Sequence, residues 1–343
     1  MHSFSCPNEL HRSPAVSKFL AFAALCASLL ALAACTAVRL KLGTRIRLEQ
    51  VPIASMQASL PRGPAISPGQ KLALVVQFTQ PDGKILVTEG QGKGQVLWQD
   101  LTVTASVVTA DQKGNVRLPA DPRMSDGKIA HVTITVPTHP DLRTELDIPI
   151  AYDYNFVANF SGSPGSDGLS GTDGINGTPG SMGSIDPNNP TPGGDGGNGT
   201  DASNGQDGSA GGNAPNVQVF VTLRSGAHPL LQVSVSAAGE TRLYLVDPQG
   251  GALMVKADGG HGGSGGRGGR GGRGGSGGSG TPNGNNGRDG ADGRSGFDGS
   301  PGRGGSIRVA YDPQAKPYLA TLHLSNKGGA PPSFNEQPVA PLW

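Results

Sequence analysis

Residues 259–280 read GGHGGSGGRGGRGGRGGSGGSG, so two of every three positions are glycine. After the break Thr281–Asn283, glycine returns at every third position from Gly284 to Gly305. The block 259–305 is therefore two runs of equal length about a short break. A period of three residues is that of the polyproline-II helix, in which each triplet position forms one face of the helix.

A second block, 161–215, has the same design. Glycine occupies every third position from Gly162 to Gly183, and the period resumes after a break from Gly193 to Gly211, with Ala202 holding one slot. A face of glycine lets another backbone approach closely. Matched runs about a break predict two hairpins whose legs would each reach about 65–70 Å at the polyproline-II rise.

The four legs predict a polyglycine-II-like bundle with the Gly-Gly-X leg at its centre. Block 161–215 carries six Asp and no basic residue, whereas block 259–305 carries six Arg and three Asp. Opposite net charges favour one block lying on the other. Two alternatives stay open: flexible linkers, which is what Gly- and Ser-rich chains usually form, and a collagen-like trimer.

The rest of the chain predicts β-structure. Runs such as KLALVVQFT (71–79) and IAHVTITV (129–136) are separated by turn signals, and no window has an apolar helical period. We expect an all-β protein of β-sandwich domains, with an immunoglobulin-like arrangement among the candidates. The runs expected to be strands are 71–79, 84–88, 95–109, 115–118, 129–136, 145–152, 155–160, 217–224, 230–237, 241–246, 252–257, 306–311 and 318–324.

This pattern divides the chain into successive regions. They are a signal peptide at 1–34, an N-terminal β-sandwich domain at 35–160, Gly-rich insert 1 at 161–215, strands of a second β domain at 216–258, Gly-rich insert 2 at 259–305, closing strands at 306–327 and a disordered tail at 328–343.

The N-terminal sequence predicts where the protein is located in the cell. An apolar run from Phe19 to Ala34 follows a polar, basic start, and it is too short for a transmembrane helix. The run ends Leu32-Ala33-Ala34-Cys35, which resembles the lipobox of bacterial lipoproteins. The resemblance implies that Cys35 is lipidated and becomes the first residue of the mature chain. Cleavage without lipidation is the alternative.

The residue after the cysteine, Thr36, favours the outer membrane over inner-membrane retention by the enteric sorting rule. Cys6 and Cys26 lie in the predicted signal peptide, so the mature chain would hold a single, lipidated cysteine. The sequence thus predicts an outer-membrane lipoprotein of the cell envelope with no disulfide.

The triplets resemble those of bacterial collagen-like surface proteins. The Gly-Gly-X stretch is more similar to the polyglycine-II bundles of certain phage tail adhesins and of a glycine-rich antifreeze protein. The resemblance spans about 100 residues of composition and period. It implies an extended, solvated recognition or spacer module and no particular ligand.

Two sets of leg residues are candidates for binding. Arg267, Arg270 and Arg273 form a basic ridge, which is either solvated, paired with Asp, or a docking stripe for an anionic surface polymer. Apolar residues on the legs are interpreted as packing between legs, with an exposed binding face as the alternative. These residues are Leu169, Ile175, Met182 and Phe297.

The sequence contains no convincing enzyme motif. Gly-x-Ser-x-Gly matches at 262–266 and 274–278 lie in low-complexity sequence without a strand-to-helix turn. The histidines lack metal-ligand spacing, so neither a metal nor a cofactor is expected. The formal net charge of +1 and the predicted export argue against nucleic acid as a partner.

The sequence therefore predicts a lipid-anchored structural or adhesive protein of the cell envelope, and not an enzyme. Its expected partners are the membrane, through the lipid, and a carbohydrate or an envelope protein. The alternatives are an envelope scaffold subunit that docks a protein partner and a collagen-like trimeric surface protein. The sequence leaves the ligand and the oligomeric state open.

Overall fold

The computed structural model describes residues 45–184 and 186–343. The predicted signal peptide at 1–34 and the lipidation site Cys35 lie outside these residues. Within the described ranges, none of the helices has the length and apolar character needed to cross a membrane.

The described residues form an all-β fold, as the sequence predicts. The strands are β1 (Ser55–Ser59), β2 (Lys71–Ala73), β3 (Val75–Thr79), β4 (Ile85–Val87), β5 (Thr102–Ser106), β6 (Thr109–Ala110), β7 (Asn115–Arg117), β8 (Ala130–Val136), β9 (His139–Ile148), β10 (Asn155–Asn159), β11 (Val217–Arg224), β12 (Leu230–Ala237), β13 (Glu240–Val246), β14 (Ala252–Lys256), β15 (Ile307–Tyr311), β16 (Leu322–Ser325) and β17 (Ser333–Glu336). Short 3-10 helices span Leu48–Gln50, Gly90–Gly92, Trp98–Asp100, Pro122–Met124 and Pro313–Thr321.

The first of two compact units ends at Ala151. It holds three three-stranded sheets with the orders β1-β3-β4, β2-β7-β6 and β5-β8-β9, and all their pairs are antiparallel. Strand β8 alternates buried and half-buried residues, the pattern of a strand with one face on a core. Phe78, Ile134 and Ile148 are fully buried in that core.

The second unit covers Tyr152–Trp343 and contains both Gly-rich blocks. It has a three-stranded sheet, β10-β14-β16, and a five-stranded sheet, β13-β12-β11-β15-β17. Side chains of both sheets share one buried cluster, for example Leu253 and Val255 of β14 with Val219 of β11 and Val233 of β12. This cluster anchors the strands that lead into and out of the Gly-rich blocks.

Parallel pairing distinguishes the second unit. β10 pairs with β14, β14 with β16, β11 with β15, and β15 with β17, all in parallel. Immunoglobulin sheets are antiparallel, so the immunoglobulin-like expectation does not describe this unit. Parallel neighbours need long connections. The Gly-rich blocks form part of three of these connections, whereas β15 reaches β17 through residues 312–332.

Several local expectations are corrected. Residues 55–59, which lie outside the predicted strand runs, form β1, and residues 318–321, expected in a strand, belong to a 3-10 helix. β10 pairs with β14 and so belongs to the second unit, not to a domain ending at 160. The tail at 328–343 is not disordered, because residues 333–336 form β17 beside β15.

Candidate interaction surface

Four extended legs carry the Gly-rich sequence, and each is joined to a strand of the second unit. Leg 1 (162–183) follows β10 and leg 2 (193–215) precedes β11. Leg 3 (259–280) follows β14, and leg 4 (284–305) precedes β15. The buried strands therefore fix where every leg begins or ends.

Two leg pairs run parallel and continue the register of the sheets. In leg 1, every third N–H from Gly162 to Gly183 donates to a carbonyl of Asp258 or leg 3 at 2.7–2.9 Å. In leg 2, the N–H groups from Gly193 to Ala214 donate at the same interval to carbonyls at 282–303 at 2.8–2.9 Å. Leg 1 therefore keeps the register of the strand pair β10–β14, and leg 2 keeps the register of the strand pair β11–β15.

Three further contacts between legs are antiparallel. Leg 2 donates to leg 1 (Gly197 N to Thr178 O, 2.8 Å), leg 3 to leg 2 (Gly275 N to Gly197 O, 2.8 Å), and leg 4 to leg 3 (Gly287 N to Gly275 O, 2.8 Å). Legs 2 and 3 thus contact each of the other legs. Legs 1 and 4 each contact two legs.

Glycine is required where legs face one another. A β-carbon on Gly263 would lie under 3.0 Å from the carbonyl oxygen of Ser166, and one on Gly275 equally close to that of Thr178. Ala202 occupies the position of leg 2 that, by the three-residue repeat, lies opposite Gly269 of leg 3. The neighbouring hydrogen bond, from Gly269 N to Ser203 O, is 3.1 Å long, which is longer than the other bonds between these two legs. The exposed triplet positions carry all the larger side chains, so glycine marks the contact faces.

Asp and Asn side chains hold the parallel seams together. Oδ1 of Asp201 accepts the N–H of Ala291 at 2.7 Å, and Oδ1 of Asn198 accepts that of Arg288 at 2.8 Å. In the other seam, Oδ1 of Asp173 accepts the N–H of Arg270 at 2.8 Å. In the sequence alone, these Asp residues indicate only negative charge. The signal in the sequence that points to this role is their placement directly before a contact-face position, which is glycine in most cases and Ala202 after Asp201.

Leg 4 presents a similar row of carboxylates to leg 3. Oδ1 of Asp292 accepts the N–H of Gly271 at 2.7 Å, and Oδ1 of Asp289 accepts that of Gly274 at 2.7 Å. These acceptors lie on one side of leg 3, and the acceptors of leg 1 lie on the other. Some backbone N–H groups of leg 3 have no backbone acceptor on a neighbouring leg, and these side-chain oxygens accept their hydrogen bonds instead.

The basic ridge lies between these two rows. Arg267, Arg270 and Arg273 occupy exposed positions of leg 3. The backbone N–H of Arg270 is bound by Asp173, and that of Arg273 by Asn176 Oδ1 at 2.8 Å. The ridge is therefore flanked by carboxylates, which reduces the positive potential that an anionic polymer would meet.

The apolar leg residues point to solvent. Leu169 is 68% exposed, Ile175 74%, Met182 84% and Phe297 80%. The interpretation that they pack between legs is therefore wrong, because the contact faces hold glycine. These side chains are spaced along the outside of the legs, where a partner could reach them.

Outside the legs, one cluster on the first unit has the order of groups found in hydrolase triads. Thr133 Oγ1 lies 3.3 Å from His131 Nε2, and His131 Nδ1 lies 2.7 Å from Asp147 Oδ1. His131 and Asp147 are directly opposite one another on β8 and β9, and the Asp147 side chain is 72% exposed. The cluster lies on an open sheet face, so we assign it to cross-strand pairing.

The described residues contain no group of three or more His, Cys, Asp or Glu arranged to hold a metal ion. An open cleft of about 330 Å³ lies where legs 2 and 4 enter the sheet. Polar groups of Asn216, Ser236, Ser306 and Arg308 contribute to its lining. Its position makes it part of the base of the legs.

Comparison with known proteins does not extend this description. No protein-family model matches the chain, and no curated protein matches its sequence.

Proposed function

We propose that this protein is a lipid-anchored structural or adhesive component of the bacterial cell envelope. In this proposal, the four legs form a polyglycine-II-type bundle that projects from a β-sandwich and displays its outer side chains to a carbohydrate or to an envelope protein. Cys35 carries the lipid in the outer membrane. The protein has no catalytic role in this proposal.

The observation that carries the proposal is the continuous register from strands to legs. Asn155 is paired with Ala252 in β10 and β14, and Asp167 still meets Ser264 at the same interval of 97 residues. Val217 with Ile307 and Asp195 with Asn285 keep an interval of 90. An ordered extension of about 65–70 Å suits a spacer or a displayed recognition surface.

The hydrogen bonds favour a bundle within one chain over the two alternatives. The facing N–H groups of each leg donate to other legs of the same chain. A collagen trimer would need these groups for two further chains. A flexible linker would leave them to water, and the close carbonyl contacts of the glycines would have no reason to exist.

Circular dichroism with sedimentation equilibrium on residues 36–343 tests the bundle. We expect a polyproline-II-like spectrum that melts cooperatively in a monomer. The same spectrum in a trimer would replace the bundle with a collagen-like assembly. A spectrum without a cooperative transition would mean that the legs are flexible spacers and that the function lies in the β domains.

The anchor is tested by metabolic labelling with a lipid analogue. The wild-type chain should incorporate the label, and the Cys35→Ser variant should not. Ser is the replacement closest in shape, and it lacks the thiol to which the lipid would be attached. Equal labelling of both chains, or of neither, would overturn the lipoprotein assignment.

Protease treatment of intact cells separates adhesin from scaffold. The protease is trypsin, which cleaves after arginine. Its expected cleavage sites in the legs are the exposed residues of leg 3, Arg267, Arg270 and Arg273. Cleavage in intact cells supports display on the cell surface. Protection in intact cells with cleavage after lysis supports an envelope scaffold that docks a protein partner.

A further inference from the structure

We infer that the site holding residues 333–343 is an acceptor for the same segment of a second copy of this chain. The inference concerns self-association and goes beyond the proposed display function. It rests on two features of the segment. Its polar groups bind β15 and Gln232, and only Pro331 and Pro332 join it to the preceding turn.

The first part of the segment adds a strand to a sheet edge. β17 pairs in parallel with β15, with Arg308 opposite Ser333 and Tyr311 opposite Glu336. All four residues of β17 are exposed, and Phe334 keeps 52% of its surface accessible. The strand is thus held mainly through its backbone, and main-chain pairing of this kind serves equally well for a strand from another chain.

The second part is held by a buried side-chain amide. Gln232 of β12 is only 2% exposed. Its Oε1 accepts the N–H of Leu342 at 3.1 Å, and its Nε2 donates to the carbonyl oxygen of Trp343 at 3.3 Å. The amide bonds the backbone of the segment as a neighbouring strand would. A buried amide left without these partners would be costly, so the site requires an occupant.

One side chain of the segment is recognised specifically. Glu336 Oε2 accepts hydrogen bonds from Lys316 Nζ at 2.7 Å and Tyr311 Oη at 3.2 Å. The hydrogen bond from Lys316 lowers the pKa of Glu336, and that from Tyr311 adds to the effect. The acceptor therefore fits an extended strand with one acidic residue, which is the chemistry of 333–343.

The link to the segment allows exchange. Residues 326–330 are fixed at the base of the legs, where Asn326 Nδ2 donates to Gly305 O at 3.0 Å and Gly259 N donates to Lys327 O at 3.0 Å. Only Pro331 and Pro332 separate this anchored turn from β17. Because proline fixes φ, this two-residue hinge is short and stiff, and short hinges favour exchange of a segment between copies. All other contacts are identical in the closed and exchanged forms, as in domain swapping.

A cysteine pair divided between two chains tests the inference. One full-length chain carries Arg308→Cys and the other Ser333→Cys, each with serine at the three native cysteines. After mixing at high concentration and mild oxidation, we expect a disulfide-linked heterodimer. The control replaces Arg308→Cys by Thr241→Cys, an exposed site on β13 at the opposite edge of the same sheet. We expect about tenfold more heterodimer than in this control, because the exchanged strand raises the local thiol concentration.

A double variant, Arg308→Cys with Ser333→Cys in one chain, shows whether the pair closes when β15 and β17 are adjacent. If it closes within one chain while the mixed chains give no more heterodimer than the control, the segment does not exchange. If it does not close at all, β17 is not paired in solution and the inference fails.

A charge swap provides a second test. Lys316→Glu in the acceptor chain should reduce the heterodimer yield several-fold, and Glu336→Lys in the donor chain should restore it. If neither substitution changes the heterodimer yield, the two chains associate through a different surface. Exchange could fail while the legs still form a monomeric, cooperative bundle, so this result is distinguishable from failure of the proposed function.

Discussion

Oδ1 of Asp167 accepts the backbone N–H of Ser264 at 2.7 Å, across an interval of 97 residues. The same interval separates Asn155 from its strand partner Ala252. The register of the sheet thus continues into the legs, where the Asp and Asn rows keep the same interval. Four extended legs without a hydrophobic core depend on this combination of strand anchoring, glycine contact and side-chain acceptors.

The acceptor role of the Asp row predicts a difference between two variants at one position. Asp201→Ala removes the acceptor for Ala291 N–H and should lower the free energy of unfolding by about 1 kcal/mol. Asp201→Asn keeps Oδ1 and should stay near wild type. Urea unfolding followed by circular dichroism measures both. Equal losses in the two variants would mean that charge, and not the hydrogen bond, is what matters at this position.

The contact face of leg 3 predicts a strict requirement for glycine. Gly272→Ala would bring a methyl group under 3.0 Å from the carbonyl oxygen of Ile175. Separation of the legs and weakened hydrogen bonds should lower the free energy of unfolding by about 2–4 kcal/mol. Ser276→Ala, at an exposed position of the same leg, is the matched control and should change it by less than about 0.5 kcal/mol. Similar losses in both variants would argue against close packing of the legs.

The glycine period identifies the contact faces from sequence alone, because steric exclusion disfavours larger residues where backbones touch, and Ala202 is an exception. The sequence could not reveal which legs run parallel, since that depends on the pairing of β10 with β14 and of β11 with β15. It also could not reveal the exposure of Leu169 and Ile175. Apolar residues usually mark packing, but here glycine fills the interior and apolar side chains have only the outside available.

The order of the segment at 333–343 is hidden in the sequence for a different reason. Its Pro-rich composition and the scarcity of apolar alternation are typical of an unpaired tail. The binding comes from backbone pairing with β15 and from the amide of Gln232, and neither leaves a periodic pattern in the sequence. The buried glutamine itself, at 232 within the run LLQVSVSA, is the one signal that a polar partner crosses this strand.

Order in the legs predicts slow deamidation. Asn followed by Gly loses ammonia when the glycine nitrogen attacks the side-chain carbonyl carbon, and water then opens the cyclic imide. In the legs, the glycine N–H is bound to another leg at 2.7–2.9 Å, and Oδ1 of the Asn is held by a backbone N–H. The five sites of this kind are Asn176, Asn198, Asn204, Asn283 and Asn286.

Mass spectrometry after incubation at neutral pH measures deamidation at each site. The native chain should deamidate far more slowly than the same chain in denaturant, which serves as the control for intrinsic reactivity. Equal rates in the two states would show that the legs are not held in the observed hydrogen bonds.

Asp258, at the start of leg 3, predicts an acid-dependent loss of stability. Burial opposes its ionisation, but hydrogen bonds from Ser325 Oγ (2.6 Å) and Lys327 N–H (2.7 Å) lower its pKa below the usual 3.8. Its contribution is therefore fully present above the unfolded pKa and is lost as pH falls through the folded pKa. Asp258→Asn should remove this part of the pH dependence. Unfolding in urea between pH 2 and 6 tests the prediction, and parallel curves for both chains would contradict it.

The carboxylates beside the basic ridge predict weak attraction for anionic polymers. In the wild-type chain, the rows containing Asp173 and Asp292 lie on either side of Arg270. We expect little retention on a polyanionic polysaccharide column at physiological salt, where surface charges are screened beyond about 8 Å. Replacing Asp173 and Asp292 by Asn keeps both backbone hydrogen bonds and removes two negative charges, so retention should rise. Strong retention of the wild-type chain that is lost in an Arg267→Gln, Arg270→Gln and Arg273→Gln variant would instead make the ridge a docking stripe.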